Sequence, residues 1–132
     1  MVGLLCLDAS AIVKLVVEEL ESPALREALR DRPRRVCSAI ALIEVHLAAA
    51  RRSPAPSSGR VRAILAGLTL IPVDQLTLET AAGLGEYGVG ALDAIHLATA
   101  MSLGEDLDSF IAYDERLLTA AETGALIVKQ PR

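Results

Sequence analysis

Short apolar runs, each stopped by a polar residue, alternate with stretches of helical periodicity along the whole of this 132-residue sequence. A brief, unbroken apolar run marks a strand buried on both faces, and residues 2–7, ending at Asp8, are the clearest case. Residues 9–17 and 22–30 follow with helical spacing, and 36–37 form a second short strand. Ser38 is placed to cap a long helix ending near Arg52. SPAPSSG, 53–59, reads as a loop, 61–70 as a helix, 69–73 as a third strand and 76–87 as a helix. Residues 92–103 are helical again, 109–113 a fourth strand, 114–123 a helix closed by Gly124, and 126–128 a last strand. Such alternation predicts an α/β fold of three layers, a mostly parallel sheet flanked by helices.

The length suits one domain, 1–132, and 52% apolar residues supply its core. Tyr87, Phe110 and Tyr113 are the only aromatics, so Leu, Ile, Val and Ala must build that core. Cys6 and Cys37 lie within apolar runs, as buried free thiols do, and no disulfide is expected. The apolar start lacks a basic region, and Asp8 and Lys14 interrupt it well short of the ~18 residues a span requires. It reads as the strand and helix of a cytoplasmic protein.

The net charge is −4, yet residues 26–62 carry nine arginines against Glu27, Asp31 and Glu44, a local balance of +6. The rest of the chain therefore holds −10. An arginine-rich segment on an acidic protein is either a solvated helix face or a surface that steers an RNA backbone, with Arg34, Arg35, Arg51 and Arg52 as candidates. Three aromatics are too few for base-stacking platforms.

Four acids stand out. Asp8 and Asp114 each follow a predicted strand and precede a helix, where ligands of parallel sheets bind, although a helix N-cap would explain either alone. Asp93, in GALDAIHLATAM, suits the first turn of a helix. Glu44 has no capping role, because it lies within SAIALIEVHLAAA with Ile40, Ala41, Leu47 and Ala48 around it. A helix apolar on nearly every side implies burial, and a buried carboxylate must be paired, protonated or metal-bound. Its partner has to come from elsewhere in the fold. A divalent ion serves all four acids at once, and oxygen ligands without clustered Cys or His favour Mg²⁺ or Mn²⁺ over zinc. That ion chemistry points to phosphodiester hydrolysis.

Other motifs carry less. GLGEYG, 83–88, spells the dinucleotide fingerprint but ends a helix where the working motif opens one. His96 is three residues after Asp93 and is either a satisfied core histidine or a hydrogen-bond partner for a metal ligand. His46 has no role, and no Ser or Cys has the His/Asp surroundings of a covalent catalyst.

LDASAIVKLVVEE, SAIALIEV, LDAIHLATA and AYDERLLTAA, in that order and spacing, resemble the PIN domain, and specifically the VapC-type toxins of type II toxin–antitoxin pairs. The resemblance spans essentially the whole chain. It implies a PIN-like fold, a central parallel sheet between helices, and Mg²⁺-dependent cleavage of RNA. Asp8, Glu44, Asp93 and Asp114 would then be the acidic metal cluster, with Ser10 and Ser38 at hydroxyl positions near it. A homodimer and a cognate antitoxin are the implied partners. One position departs: Ala112 stands where the family usually has Thr or Ser, and restoring that hydroxyl is expected to keep or raise activity. The alternatives are a catalytically weak PIN-fold binding module and a housekeeping RNA-processing nuclease.

Overall fold

The computed structural model describes residues 3–132; Val2, read into the first strand, lies outside them. The chain runs β1 (Leu4–Leu7), α1 (Ala9–Val16), α2 (Ser22–Leu29), β2 (Arg35–Ser38), α3 (Ala41–Ala50), α4 (Ser58–Ala66) and β3 (Thr69–Ile71). It continues through α5 (Gln75–Ala82), α6 (Ala91–Ser102), β4 (Leu107–Ile111), α7 (Glu115–Thr123) and β5 (Val128–Lys129). The strands form a sheet in the order β3-β2-β1-β4-β5, with every neighbouring pair parallel.

Two apolar cores cover the two faces of the sheet. Leu5, Leu7, Cys37 and Ile111 pack against α1 to α4. Cys6, Val36 and Phe110, the alternate residues of the same strands, pack against α6 and α7. A side-chain period of two thus distributes each central strand between both layers, which is why β1 reads as unbroken hydrophobe. Cys6 and Cys37 are buried and free, and burial pushes the Cys37 thiol up to about 11.

Several helix ends follow local chemistry. Asp8, Ser57, Asp74 and Asp114 each accept a backbone N–H from the first turn of the helix they precede. Two boundaries differ from the sequence reading. Ser38 does not cap α3: it closes β2, and two turn residues precede a helix that begins at Ala41 without a side-chain cap. The loop at 53–59 is shorter than expected, because Ser57 starts α4 early and Gly67 ends it before β3. GLGEYG follows α5 and holds a single 3-10 turn, closed by Gly88 at φ +73, a left-handed conformation that glycine adopts freely. Among the described residues no helix is long and apolar enough to cross a membrane.

The strand order fixes where a ligand fits. From β1 the chain steps outward through β2 and β3, then returns to β4 on the other side of β1. The crevice at the carboxyl ends of β1 and β4 is the topological switch point, where parallel sheets bind ligands.

Candidate metal-binding site

Asp8 and Asp114 stand at the two sides of that crevice. Leu7 pairs with Ile111, and the Asp8 N–H donates to the Ile111 carbonyl at 3.1 Å, so the chain leaves β1 beside β4. Asp8 is almost wholly buried, and its Oδ1 accepts both the Ser10 hydroxyl at 2.7 Å and the Ala11 N–H at 3.0 Å. Asp114 Oδ1 accepts the Leu117 N–H at 3.0 Å. The capping reading of both aspartates is therefore correct, and it engages one oxygen of each carboxylate.

Asp93 enters from the first turn of α6, half-buried, with no side-chain hydrogen bond among the described residues. Glu44 enters from the first turn of α3, on the opposite helical layer. Its apolar helical neighbours predict a buried, mid-helix position. The later helix start puts it at the crevice, and its side chain keeps 21% of its exposure. Its partner from elsewhere in the fold is His96: Glu44 Oε1 lies 2.6 Å from His96 Nε2, on a ring that is 1% exposed. His96 is therefore a satisfied core histidine, and the side chain that satisfies it is Glu44.

Electrostatics register the convergence. Burial raises the Asp8 carboxyl to about 6; its hydrogen bonds to Ser10 and Ala11 and the charge of His96 oppose this, and Asp93 adds to it. Asp93 is also raised, first by burial, then by the Asp114 charge, with Glu44 adding to it; His96 and Arg116 act the other way. Ser38, fully buried at the end of β2, lies two residues past the paired Cys6 and Val36, beside Asp8, and accepts the Ile40 N–H at 3.3 Å. Arg116, two residues after Asp114, received no role from the sequence. The Asp-x-Arg spacing in the first turn of a helix was the available signal.

The arginine candidates separate. Arg51 lines a cleft of about 310 Å³ with Ser10, Glu44, Leu47 and Leu92. Arg52 pairs with Glu19 at 2.9 Å beside the groove that Ser10, Tyr113 and Asp114 line. Arg34 and Arg35 lie at the amino end of β2, opposite the acids, where Arg35 donates to the carbonyls of Leu29 and Arg32. The expectation that all four share one surface is not met, because the length of β2 intervenes. Ala112 also departs from expectation: it is wholly buried in the core beneath α6 and α7, so a hydroxyl there would enter apolar packing.

A PIN-domain family model matches residues 5–123, which include all four acids. The chain belongs to the PIN-domain family. Within that family it is 47% identical over 125 residues to Ribonuclease VapC46 of Mycobacterium tuberculosis, with 95% of each chain covered. It is 40% identical over 128 residues to Ribonuclease VapC35 of the same species, again with 95% of each covered. Among solved structures, a toxin–antitoxin complex from Klebsiella pneumoniae superposes with a TM-score of 0.73 at 25% identity, covering 96% of this chain and 97% of that one. M. tuberculosis VapC20, described as a sarcin-ricin loop cleaving toxin, has the same fold, with a TM-score of 0.73 at 16% identity and 96% and 99% coverage.

Do the residues of this PIN domain fit a metal? Among the described residues no three His, Cys, Asp or Glu side chains form a ready-made cage. Yet Asp8, Asp114 and Glu44 each commit one oxygen to a protein donor, and among the described residues the other oxygen has no such bond. Dispersed carboxylates, each offering one oxygen, suit an ion that keeps most of its waters, as Mg²⁺ does.

Proposed function

We propose that this PIN-domain chain is the toxin of a toxin–antitoxin pair, a divalent-metal-dependent endoribonuclease whose site is Asp8, Glu44, Asp93 and Asp114. The carrying observation is the convergence of acids at the switch point: burial raises the Asp8 and Asp93 carboxyls, the Asp93 charge adds to the first and the Asp114 and Glu44 charges add to the second, and among the described residues no Lys or Arg salt-bridges any of the four. Its ribonuclease relatives and toxin–antitoxin neighbours support the substrate class and the partner.

When bound, Mg²⁺ or Mn²⁺ would lower the pKa of a water so that hydroxide is available to attack phosphorus, and would supply positive charge for the departing 3′-oxygen. The protein's part is placement. Ser10 and the Ala11 amide fix Asp8 through Oδ1, and the Leu117 amide fixes Asp114 in the same way. Arg51 faces the crevice as a contact for the RNA backbone. Leu47 and Leu92, about half exposed on the same cleft, offer apolar surface to the antitoxin. A homodimer is the assembly implied by the family resemblance.

Purified protein cleaves RNA with Mg²⁺ or Mn²⁺, stops in EDTA, and leaves 5′-phosphate and 3′-hydroxyl ends, because water and not the ribose 2′-OH is the nucleophile. Cyclic-phosphate ends, or full activity in chelator, overturn the mechanism. Expression alone arrests growth and the cognate antitoxin relieves it; harmless expression of active enzyme favours a housekeeping nuclease.

A further inference from the structure

The bond between Glu44 and His96 joins helices that pack on opposite faces of the sheet. A side-chain bond of 2.6 Å can connect those layers only over the carboxyl edge, at the crevice itself. A carboxylate has no proton to give, so the His96 Nε2–H donates and Glu44 Oε1 accepts. The ring is nearly inaccessible, whereas Glu44 retains access to water. Glu44 therefore does not need His96 to stay solvated, and the apolar neighbours of His96 in α6, Ala94, Leu97, Ala98 and Ala100, do not call for an imidazole. Asp93 lies three residues earlier on α6, so one helix face carries both an acid of the site and the donor that meets another acid.

We propose that His96 is a positioning residue: its Nε2–H fixes Glu44 through Oε1, so that Oε2 is presented to the metal. This rests on the proposed metal site. Glutamate has three side-chain torsions to restrain, and a short charge-assisted bond restrains the last of them. Asp8 and Asp114 are short enough to be fixed by the backbone of their own helices; Glu44 is longer and has no such cap.

The atom involved makes the inference specific. From Cβ, the path to the Gln amide nitrogen has the same number of bonds as the path to imidazole Nε2, and Asn falls one short. Binding of Mn²⁺ alone, measured calorimetrically without RNA, is compared for wild type, His96→Gln, His96→Asn and His96→Leu, with thermal melts for each. The expected result is a loss of Mn²⁺ affinity of about ten-fold or more in His96→Leu and His96→Asn, with His96→Gln largely restored. With RNA, kcat falls in parallel while KM stays within about two-fold. In a Glu44→Gln background, His96→Asn causes no further loss of Mn²⁺ affinity.

If His96→Asn and His96→Leu bind Mn²⁺ like wild type whatever their melting temperatures, His96 is only a core residue and the inference is overturned. Should His96→Leu fail to fold, His96→Asn against His96→Gln decides alone. Asp93→Asn separates the two levels: loss of Mn²⁺ binding there but not in His96→Asn overturns this inference and leaves the metal site intact. A wild-type chain that binds no Mn²⁺ overturns both.

Discussion

Ser10 accepts the backbone N–H of Tyr113, 103 positions away, at 3.1 Å. The same hydroxyl donates to Asp8 at 2.7 Å, so one oxygen ties the β4–α7 turn to the central carboxylate. Ser10→Ala removes both bonds and is expected to cost about 1–3 kcal/mol in urea unfolding, because one bond ends on a charged group and the other serves a part-buried amide. It also removes a bond that holds the Asp8 carboxyl down, so the acid limb of the activity profile moves to higher pH. An unchanged profile would show that Ser10 only supports the turn.

Stability without metal should depend on pH in the direction opposite to that of a salt-bridged carboxylate. Asp8 is raised from 3.8 to about 6 in the folded chain, and Asp93 is raised as well. The folded state therefore binds protons more tightly than the unfolded one. The penalty for ionising Asp8 is complete above about pH 6 and is relieved as pH falls from there toward 3.8. Metal-free protein melts higher at about pH 5.5 than at 7.5, and added Mg²⁺ restores stability at 7.5 by mass action. Asp93→Asn, with one fewer repelling charge, melts at or above metal-free wild type at pH 7.5 yet is inactive. Calorimetric scans at both pH values check each point, and a mutant melting well below wild type would assign Asp93 a structural partner.

Restoring a hydroxyl at 112 has the reverse of the effect expected from family resemblance. Ala112 has no exposed surface and lies in the same core cluster as Phe110 and Leu117. Ala112→Thr adds two heavy atoms, one of them polar, and is expected to cost about 1–3 kcal/mol in urea unfolding without raising turnover per folded molecule.

Arg51 and Arg34 should behave differently toward RNA. Arg51→Ala raises KM several-fold and flattens the salt dependence of binding by about one phosphate contact, because Arg51 shares a cleft with Glu44 and Ser10. Arg34→Ala, at the amino end of β2, leaves both unchanged. KM measured at two salt concentrations distinguishes them.

The layers and the parallel sheet were legible in the sequence because each is written locally, as are the caps that Asp8 and Asp114 form. A strand buried on both faces is a continuous apolar run, and Asp8 ends it abruptly. The partner of Glu44 was not legible, because 52 residues separate it from His96 and only the strand order brings them together. Hydropathy also misjudged α3. Leu42, Ile43 and Leu47 are about half exposed, and an apolar helix face left for a partner has the same periodicity as one facing a core. Arg34 and Arg51 belong to one basic stretch of sequence but to opposite ends of the sheet, since charge composition carries no direction along a strand.

The parallel pairing of β1 with β4 has a consequence during synthesis. The turn carrying Asp114 is translated roughly 5–20 s after Asp8 at ordinary elongation rates. Hairpins and single helices can form on a growing nascent chain, whereas this crevice has no second wall until residue 114 exists. A chain released before residue 114 carries the β1 side of the crevice without the β4 side that faces it. Parallel pairing thus makes the crevice a late product of translation, whatever forms locally before it.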